Sequence, residues 1–326
     1  MKRYLGARYE SVGQLMDEKN YADLLRSALI NAVKRCGRVT HALTSGGLDS
    51  SIAVLLMRLY GAGRDFKGVA VCLEGQESPD IRYAELLAER LGIELLRVRV
   101  NVDEALKAVE EVVKALASFD PMEVVNSSAI LVALKAVKDD GGIGVLTGDG
   151  GDELFAGYSY MHGMGYGELE EYIKHLVKTW RFSSIELGKY LGLKIYSPYL
   201  DEEVVDLALK IPTELKLKRG RETIGKYILR VAFQDLLPPE IVWRDKHPIE
   251  LGSGFNALYK ILEELSDGRA HEGVRFWHRA QPYLYEVFSK FHRVRPPAQG
   301  EKQCPYCGSG VPKDKRYCRT CGAYPV

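Results

Sequence analysis

Apolar residues in the first half of the chain follow two alternating patterns. Short unbroken runs fit central parallel strands: Val39-Thr40-His41-Ala42-Leu43, Gly68-Val69-Ala70-Val71-Cys72-Leu73, residues 94–100 and Ile143-Gly144-Val145-Leu146-Thr147. Between them, apolar residues recur at three- and four-residue spacing, which predicts helices over 50–60, 80–91 and 102–116. Another helix is expected through Val137, capped by Asn126. Ahead of the first strand, Leu24, Leu25, Ala28, Leu29 and Ala32 mark a helix over 21–33. Strands alternating with helices predict an α/β fold, a doubly wound parallel sheet. Residues 160–292 read as mostly helical, with Val204-Val205, Leu207-Ala208 and Ile224, Tyr227, Ile228 and Val231 as core faces.

Two of these strands run into glycine turns that carry aspartate. The first turn is Ser45-Gly46-Gly47-Leu48-Asp49-Ser50-Ser51; the second is Gly148-Asp149-Gly150-Gly151-Asp152-Glu153-Leu154-Phe155-Ala156-Gly157-Tyr158. Glycine lets a backbone approach an anion closely, and unpaired N–H groups at a helix start attract negative charge. The hydroxyls of Ser45, Ser50 and Ser51 add donors. A carboxylate beside phosphate needs a cation between them, and Mg²⁺ held by one or two carboxylates supplies it. Asp49 and Asp152 are the expected Mg²⁺ pair. In a doubly wound sheet, ligands bind beyond the carboxyl ends of the strands, so both turns can meet on one nucleotide.

A third stretch, Gly220-Arg221-Glu222-Thr223-Ile224-Gly225-Lys226, imitates the phosphate loop of the common nucleotidases. Tyr227 stands where a Ser or Thr would bind Mg²⁺, and no strand precedes it. The helical spacing of Ile224, Tyr227, Ile228 and Val231 assigns this stretch to a helix instead.

The 326 residues suffice for one large domain and something small. With 46% hydrophobic residues, 27% charged and a net charge of +1, nothing pulls the whole chain toward nucleic acid. No apolar run reaches the roughly 18 residues of a membrane span, and Met1-Lys2-Arg3-Tyr4-Leu5 has no signal core. A cytoplasmic enzyme is the expectation. Four of six cysteines crowd the end as Cys304-Pro305-Tyr306-Cys307 and Cys318-Arg319-Thr320-Cys321, each pair followed by glycine. Two such knuckles predict a tetrahedral Zn²⁺ site, against a pair of disulfides that a reducing cytosol disfavours. The expected organisation is a helical segment over 1–38, a nucleotide domain over 39–292, a linker over 293–302 and a zinc ribbon over 303–326.

The turn at residues 45–51 resembles the pyrophosphate loop of the PP-loop ATP pyrophosphatases. The turn at 148–158 resembles the second signature of asparagine synthetase and β-lactam synthetase synthetase domains. Tyr196-Ser197-Pro198-Tyr199-Leu200-Asp201, Lys226-Tyr227-Ile228-Leu229-Arg230 and the stretch 236–246, ending Trp243-Arg244-Asp245-Lys246, agree with them. The resemblance covers roughly residues 20–260. It implies an adenine nucleotide alpha-hydrolase-like sheet and an AMP-forming ligase that adenylates a carboxylate, aspartate or a related acid, with ATP. Ser45, Gly46, Gly47, Asp49, Ser50, Ser51, Gly148 and Asp149 would bind the nucleotide. The backbones of Leu43 and Leu73 match where the family holds adenine, and Lys246 matches its lysine on the α phosphate. A carboxylate near residues 119–127 would serve the incoming amine, so Asp120 or Glu123 is the expected general base. Only about 20 residues precede the homology, so no glutaminase domain is expected. Nitrogen would come from free ammonia, another amine or a separate glutaminase. Two further readings stay open. PP-loop relatives also adenylate tRNA bases, and Lys290, Arg293, Arg295, Lys313, Lys315, Arg316 and Arg319 could meet RNA phosphate. A nucleotide-binding scaffold is the other.

Overall fold

A computed structural model describes residues 2–326, with side chains from Asp17 onward. Five parallel strands form the central sheet: β1 (His41–Leu43), β2 (Lys67–Leu73), β3 (Leu95–Val100), β4 (Gly144–Leu146) and β5 (Lys194–Tyr196), in the order β3-β2-β1-β4-β5. His41 faces Lys67 on one side and Val145 on the other, and Gly144 pairs with Lys194. The two glycine turns therefore leave neighbouring central strands at the same edge. The doubly wound α/β expectation holds. The sequence reading lacked β5, a strand of only three residues. Its edge position leaves Lys194 exposed and Ile195 and Tyr196 half-buried, so no continuous apolar run announces it.

Helices cover both faces. α1 (Lys2–Arg35), α2 (Leu48–Tyr60) and α3 (Pro79–Leu91) precede α4 (Val102–Leu116) and α5 (Pro121–Asp139). After β4 come α6 (Gly151–Leu154), α7 (Tyr166–Thr179), α8 (Ser183–Leu191), α9 (Glu202–Lys210) and α10 (Thr213–Lys216). A hairpin of β6 (Leu217–Arg219) and β7 (Thr223–Gly225) leads to α11 (Tyr227–Phe233) and α12 (Pro239–Val242). α13 (Ile249–Ser253), α14 (Ala257–Ser266) and α15 (Gln281–Phe291) complete the helical part. α1 packs against α2, α9 and α11, so residues 17–35 share a core with the sheet's helices.

Two local assignments change. α5 begins at Pro121 with Asp120 as its cap, because the Asp120 carboxylate accepts from Met122 N at 3.0 Å. Asn126 lies inside the helix and accepts instead from Glu250 N at 3.2 Å. The stretch expected as one helix through Ile224 is half hairpin. Ile224 pairs with Lys218, and Lys226 takes a left-handed φ of 56° before α11 starts. Hairpin pairing satisfies the backbone of 223–225 where the helical spacing had suggested i→i−4 bonds.

At the far end, β8 (Glu301–Gln303) and β9 (Gly310–Pro312) form a small hairpin whose loop holds Cys304 and Cys307, and Cys318 and Cys321 follow it. Cys304, Cys307, Cys318 and Cys321 are all buried and contribute to the same core as α4, α5 and α15. The small module is docked on the main body.

Candidate nucleotide site

The site is built where β1 and β4 end. α2 starts at Leu48, two residues earlier than the spacing suggested, which puts Asp49 in its first turn. Gly46 adopts a φ of 67°, and a Cβ there would strike Tyr83 Cβ at 2.2 Å. Only glycine turns the chain there without a clash. Ser45 Oγ lies 3.1 Å from Ser50 Oγ and accepts from Gly47 N at 3.2 Å. Gly150, at φ 93°, makes the matching turn after β4.

The two turns are in contact. A Cβ on Gly151 would come within 2.4 Å of Asp49 Cγ, and one on Gly148 within 2.8 Å of Ser50 N. Tyr199 O–H reaches across from the β5 exit to the Asp49 carbonyl at 3.1 Å. Between the turns stands Lys226. Its Nζ lies 2.5 Å from Asp49 Oδ2 and 2.7 Å from Asp152 Oδ1. Lys246 Nζ lies 2.9 Å from Asp152 Oδ2 and 5.4 Å from the Tyr158 ring centre. The aspartates expected as a metal pair thus meet at one buried point with two ammonium groups.

Electrostatics follow from that burial. Desolvation pushes the Asp49 carboxyl up, with Lys226 opposing it. Burial also works against ionisation at Asp152, yet Lys226 and Lys246 together hold its carboxyl below the usual range. Among the described residues, Asp49 Oδ1 is buried with no hydrogen-bond partner. A buried carboxylate oxygen left unpaired is costly, and a cation satisfies it. The residues present therefore suit Mg²⁺ held by Asp49 and Asp152.

A cleft of about 440 Å³ opens over this point. Leu43 lines it from the end of β1, Ser45, Gly47, Asp49 and Ser50 from the first turn, and Gly148, Asp149 and Asp152 from the second. Lys226 and Lys246 lie in its wall with Arg181, Ser184 and Asn126. Gly46 shapes the turn from outside the lining, Ser51 is fully buried behind it, and Leu73 is core, 1% exposed. Asp149 is spent locally, accepting from Thr147 Oγ1 at 2.7 Å and from the Ser184 hydroxyl. It ties the second turn to α8.

Asp120 and Glu123, the sequence candidates for a general base, stand outside the cleft lining. Asp120 caps α5 and accepts from Tyr317 of the cysteine module. Burial raises both carboxyls, next to Tyr317 and Ser118 respectively. The local run around Pro121 gave no register for this helix start, so sequence could not aim either side chain.

Three further residues of the cleft lining carry no role in the sequence analysis. Lys226 heads a stretch that resembles the family, yet the sequence assigns it no role because its Gly-Lys pair belongs to the false phosphate loop. Arg244 is a second; its guanidinium pairs with Asp80 at 2.5 Å, donates to the Ser45 carbonyl at 3.1 Å and stacks 4.0 Å from the Tyr83 ring centre. Glu153 is the third, accepting from Tyr158 O–H at 2.6 Å, its carboxyl pushed up to about 7 chiefly by burial. The free cysteines outside the module stay aside. Cys36 closes the turn after α1, its thiol raised to about 11 by burial, and Cys72 lies in β2.

In the module, Cys304 and Cys321 sulfurs are 3.7 Å apart, as are those of Cys307 and Cys318. All four sulfurs lie within 4.8 Å of one another. Tetrahedral zinc with Zn–S of about 2.3 Å places sulfurs about 3.8 Å apart. The thiols therefore fit a single tetrahedral ion such as Zn²⁺, and none is in a disulfide. Several of the basic residues that the tRNA alternative would turn toward RNA phosphate are engaged within the chain. Arg319 donates to the Thr179 carbonyl at 3.0 Å, Arg295 pairs with Glu301 at 2.7 Å, and Lys315 Nζ lies 2.6 Å from His175 Nε2. Among the described residues, no helix is long and apolar enough to cross a membrane.

Comparison with known proteins identifies the family. The family model for asparagine synthase matches residues 22–183 and 187–286. Human glutamine-hydrolyzing asparagine synthetase is 31% identical over 288 residues, 83% of this chain and 51% of that protein. Asparagine synthetase B of Escherichia coli (strain K12), also glutamine-hydrolyzing, is 30% identical over 275 residues, 78% of this chain and 49% of that protein. The chain spans about half the length of the curated relatives it matches. Among solved structures, the U34-tRNA thiolase NcsA from Methanococcus maripaludis with its [4Fe-4S] cluster aligns over 91% of this chain and 86% of that one. The TM-score is 0.31 and the identity 13%, too loose to carry an argument. With a family match across both glycine turns, the Lys226 segment and the Arg244–Lys246 stretch, the chain belongs to the asparagine synthase family.

Proposed function

We propose that the chain is an ATP-dependent, AMP-forming ligase that adenylates a substrate carboxylate and passes the acyl group to ammonia or an amine. The observation that carries this reading is the meeting of Asp49, Asp152, Lys226 and Lys246 at the ends of two adjacent parallel strands. Asp49 and Asp152 would hold Mg²⁺, which neutralises the pyrophosphate of ATP as a leaving group.

The chain's own groups do the rest. Hydroxyls of Ser45 and Ser50 and the N–H groups at the start of α2 receive the phosphate oxygens. Lys226 and Lys246 stand as fixed cations where charge grows as the bond between the α and β phosphates breaks. The buried floor under Asp49 keeps water from competing for the activated acyl group. The arrangement of two turns and two lysines suits release of pyrophosphate and leaves AMP on the acid. Aspartate or a related acid is the proposed substrate. Nitrogen is proposed to arrive as ammonia or an amine, from solution or from a glutaminase.

The test is ATP–pyrophosphate exchange across aspartate, glutamate, other small carboxylates and bulk tRNA. Exchange that depends on a small acid and needs no RNA supports the proposal. Asp49→Asn is expected to abolish exchange while the circular dichroism spectrum is kept. Wild-type exchange in Asp49→Asn would refute the metal role, and exchange that depends on tRNA alone would refute the substrate class.

A further inference from the structure

We propose that the four-cysteine module, when it holds its metal, is a clamp that positions the α5 wall of the cleft, with Tyr317 and Asp120 as positioning residues. The proposal rests on the reading above only in treating that cleft as the reaction site.

The second cysteine knuckle lies directly against the start of α5. Tyr317 O–H donates to the Asp120 carboxylate, the same group that caps the helix. Phe119 N donates to the Thr320 carbonyl at 2.8 Å, and Ser118 Oγ to the Arg319 carbonyl at 3.0 Å. A Cβ on Gly322 would lie 2.3 Å from Asp120 Cγ, so the module meets the cap with no gap. Trp277 Nε1 and Gln281 Nε2 both donate to the carbonyl of Cys321, at 2.8 and 2.7 Å. One cysteine backbone is thereby fixed from the α15 side as well.

From this clamped start, α5 carries Asn126, Ala129 and Ile130 into the cleft lining. A second line runs through Arg319, whose guanidinium donates to the Thr179 carbonyl at 3.0 Å, two residues before Arg181 of the same cleft. The module has almost no interior besides its cysteines; Val311 and Ala323 are its buried apolar side chains. A unit this small depends on its metal for folding free energy. Losing the metal releases the knuckle, strands Phe119 N–H and leaves the Asp120 carboxylate with Met122 N but without Tyr317, which loosens the first turns of α5. The glycine turns and their lysines do not touch the module, so the phosphate end is expected to stay in place.

Amide hydrogen exchange on the full chain tests this. The protein is compared zinc-loaded, stripped with a thiol-competing chelator, and reloaded with Zn²⁺. Stripping is expected to speed exchange over residues 119–128 by about tenfold, reloading to reverse it, and α2 to change by less than about twofold. Tyr317→Phe and Asp120→Ala are expected to give the same local acceleration while the Co²⁺-loaded forms keep their thiolate absorption band. Asp120→Asn, whose Oδ1 still accepts from Met122 N and whose Nδ2 can donate to the Tyr317 hydroxyl oxygen in place of the bond it received, is expected to keep wild-type exchange. Unchanged exchange over 119–128 after stripping, or equal acceleration there and in α2, would overturn the clamp. No substrate enters the measurement, so its outcome is independent of whether the chain proves to be an AMP-forming ligase.

Discussion

Lys226 holds Asp49 at 2.5 Å across 177 positions of sequence, and the pair is almost wholly shielded from water. The same ammonium reaches Asp152 at 2.7 Å, so one lysine neutralises carboxylates from both glycine turns. Removing one partner of a buried ion pair typically costs about 3–5 kcal/mol, because the remaining charge is left unpaired. Lys226→Met is therefore expected to lower stability in chelator by about 3 kcal/mol, read by urea denaturation. Mg²⁺ is expected to recover part of that loss by taking over the charge. A variant as stable as the wild type in chelator would show that the pair does not hold the turns together.

Gly157 supplies a second handle on the same cluster. A Cβ there would fall 1.9 Å from Asp152 Oδ1 and 2.3 Å from Lys226 Cε. Neither contact can be relieved without moving a member of the cluster. Gly157→Ala is expected to cut kcat of the ATP-dependent reaction by about 100-fold, as a misplacement of about 1 Å does, while far-ultraviolet circular dichroism stays native. Full kcat in this variant would mean that the spacing of Asp152 and Lys226 is not critical.

Arg244 connects the segment that carries Lys246 to the first turn through Ser45 and to α3 through Asp80. Arg244→Lys keeps the charge and loses the fork that serves both partners and the stacking on Tyr83. The expected result is a drop in kcat of about tenfold or more with little change in the melting temperature. Steady-state kinetics beside a thermal melt separates the two effects. Equal losses of stability and rate would assign Arg244 to the scaffold alone.

Lys216 predicts a pH dependence of stability unrelated to the cleft. It is 1% exposed at the end of α10, and burial pushes its ammonium down from 10.5 to about 8. Between those two pH values the unfolded chain binds more protons at this site than the folded chain, so stability rises with pH across that window. Below about pH 8 the buried charge exerts its full destabilising effect. Lys216→Met is expected to stabilise the protein at pH 7 by about 1–3 kcal/mol and to flatten the rise toward pH 10. Urea titrations of both proteins at pH 7 and pH 9.5 check it; an identical difference at the two values would remove Lys216 as the cause.

Much of the site could be read from local pattern. The apolar runs at 39–43, 68–73 and 143–147 became β1, β2 and β4, and the glycine turns sit at their carboxyl ends as the doubly wound topology requires. Lys246 stood out only through the family resemblance of the stretch that ends at it, whereas Asp49 and Asp152 stood out because strand, turn and helix start are encoded within a dozen residues. The four cysteines were legible for the same reason, since knuckle spacing is local. Lys226 was not. Its segment has helical spacing through Ile224, and only pairing of β7 with β6, on a hairpin seated against Ala156 and His162, turns the backbone so that the side chain enters the cluster. Asp120 and Glu123 were placed near the chemistry by motif order alone; both stand outside the cleft lining, and Asp120 is engaged by Tyr317 of the cysteine module. Short-range pattern sets which residues begin and end each element, because backbone hydrogen bonds and side-chain periodicity act over a few positions. Which side chains meet is decided by packing between distant elements, where burial makes each charge find the nearest partner the fold provides.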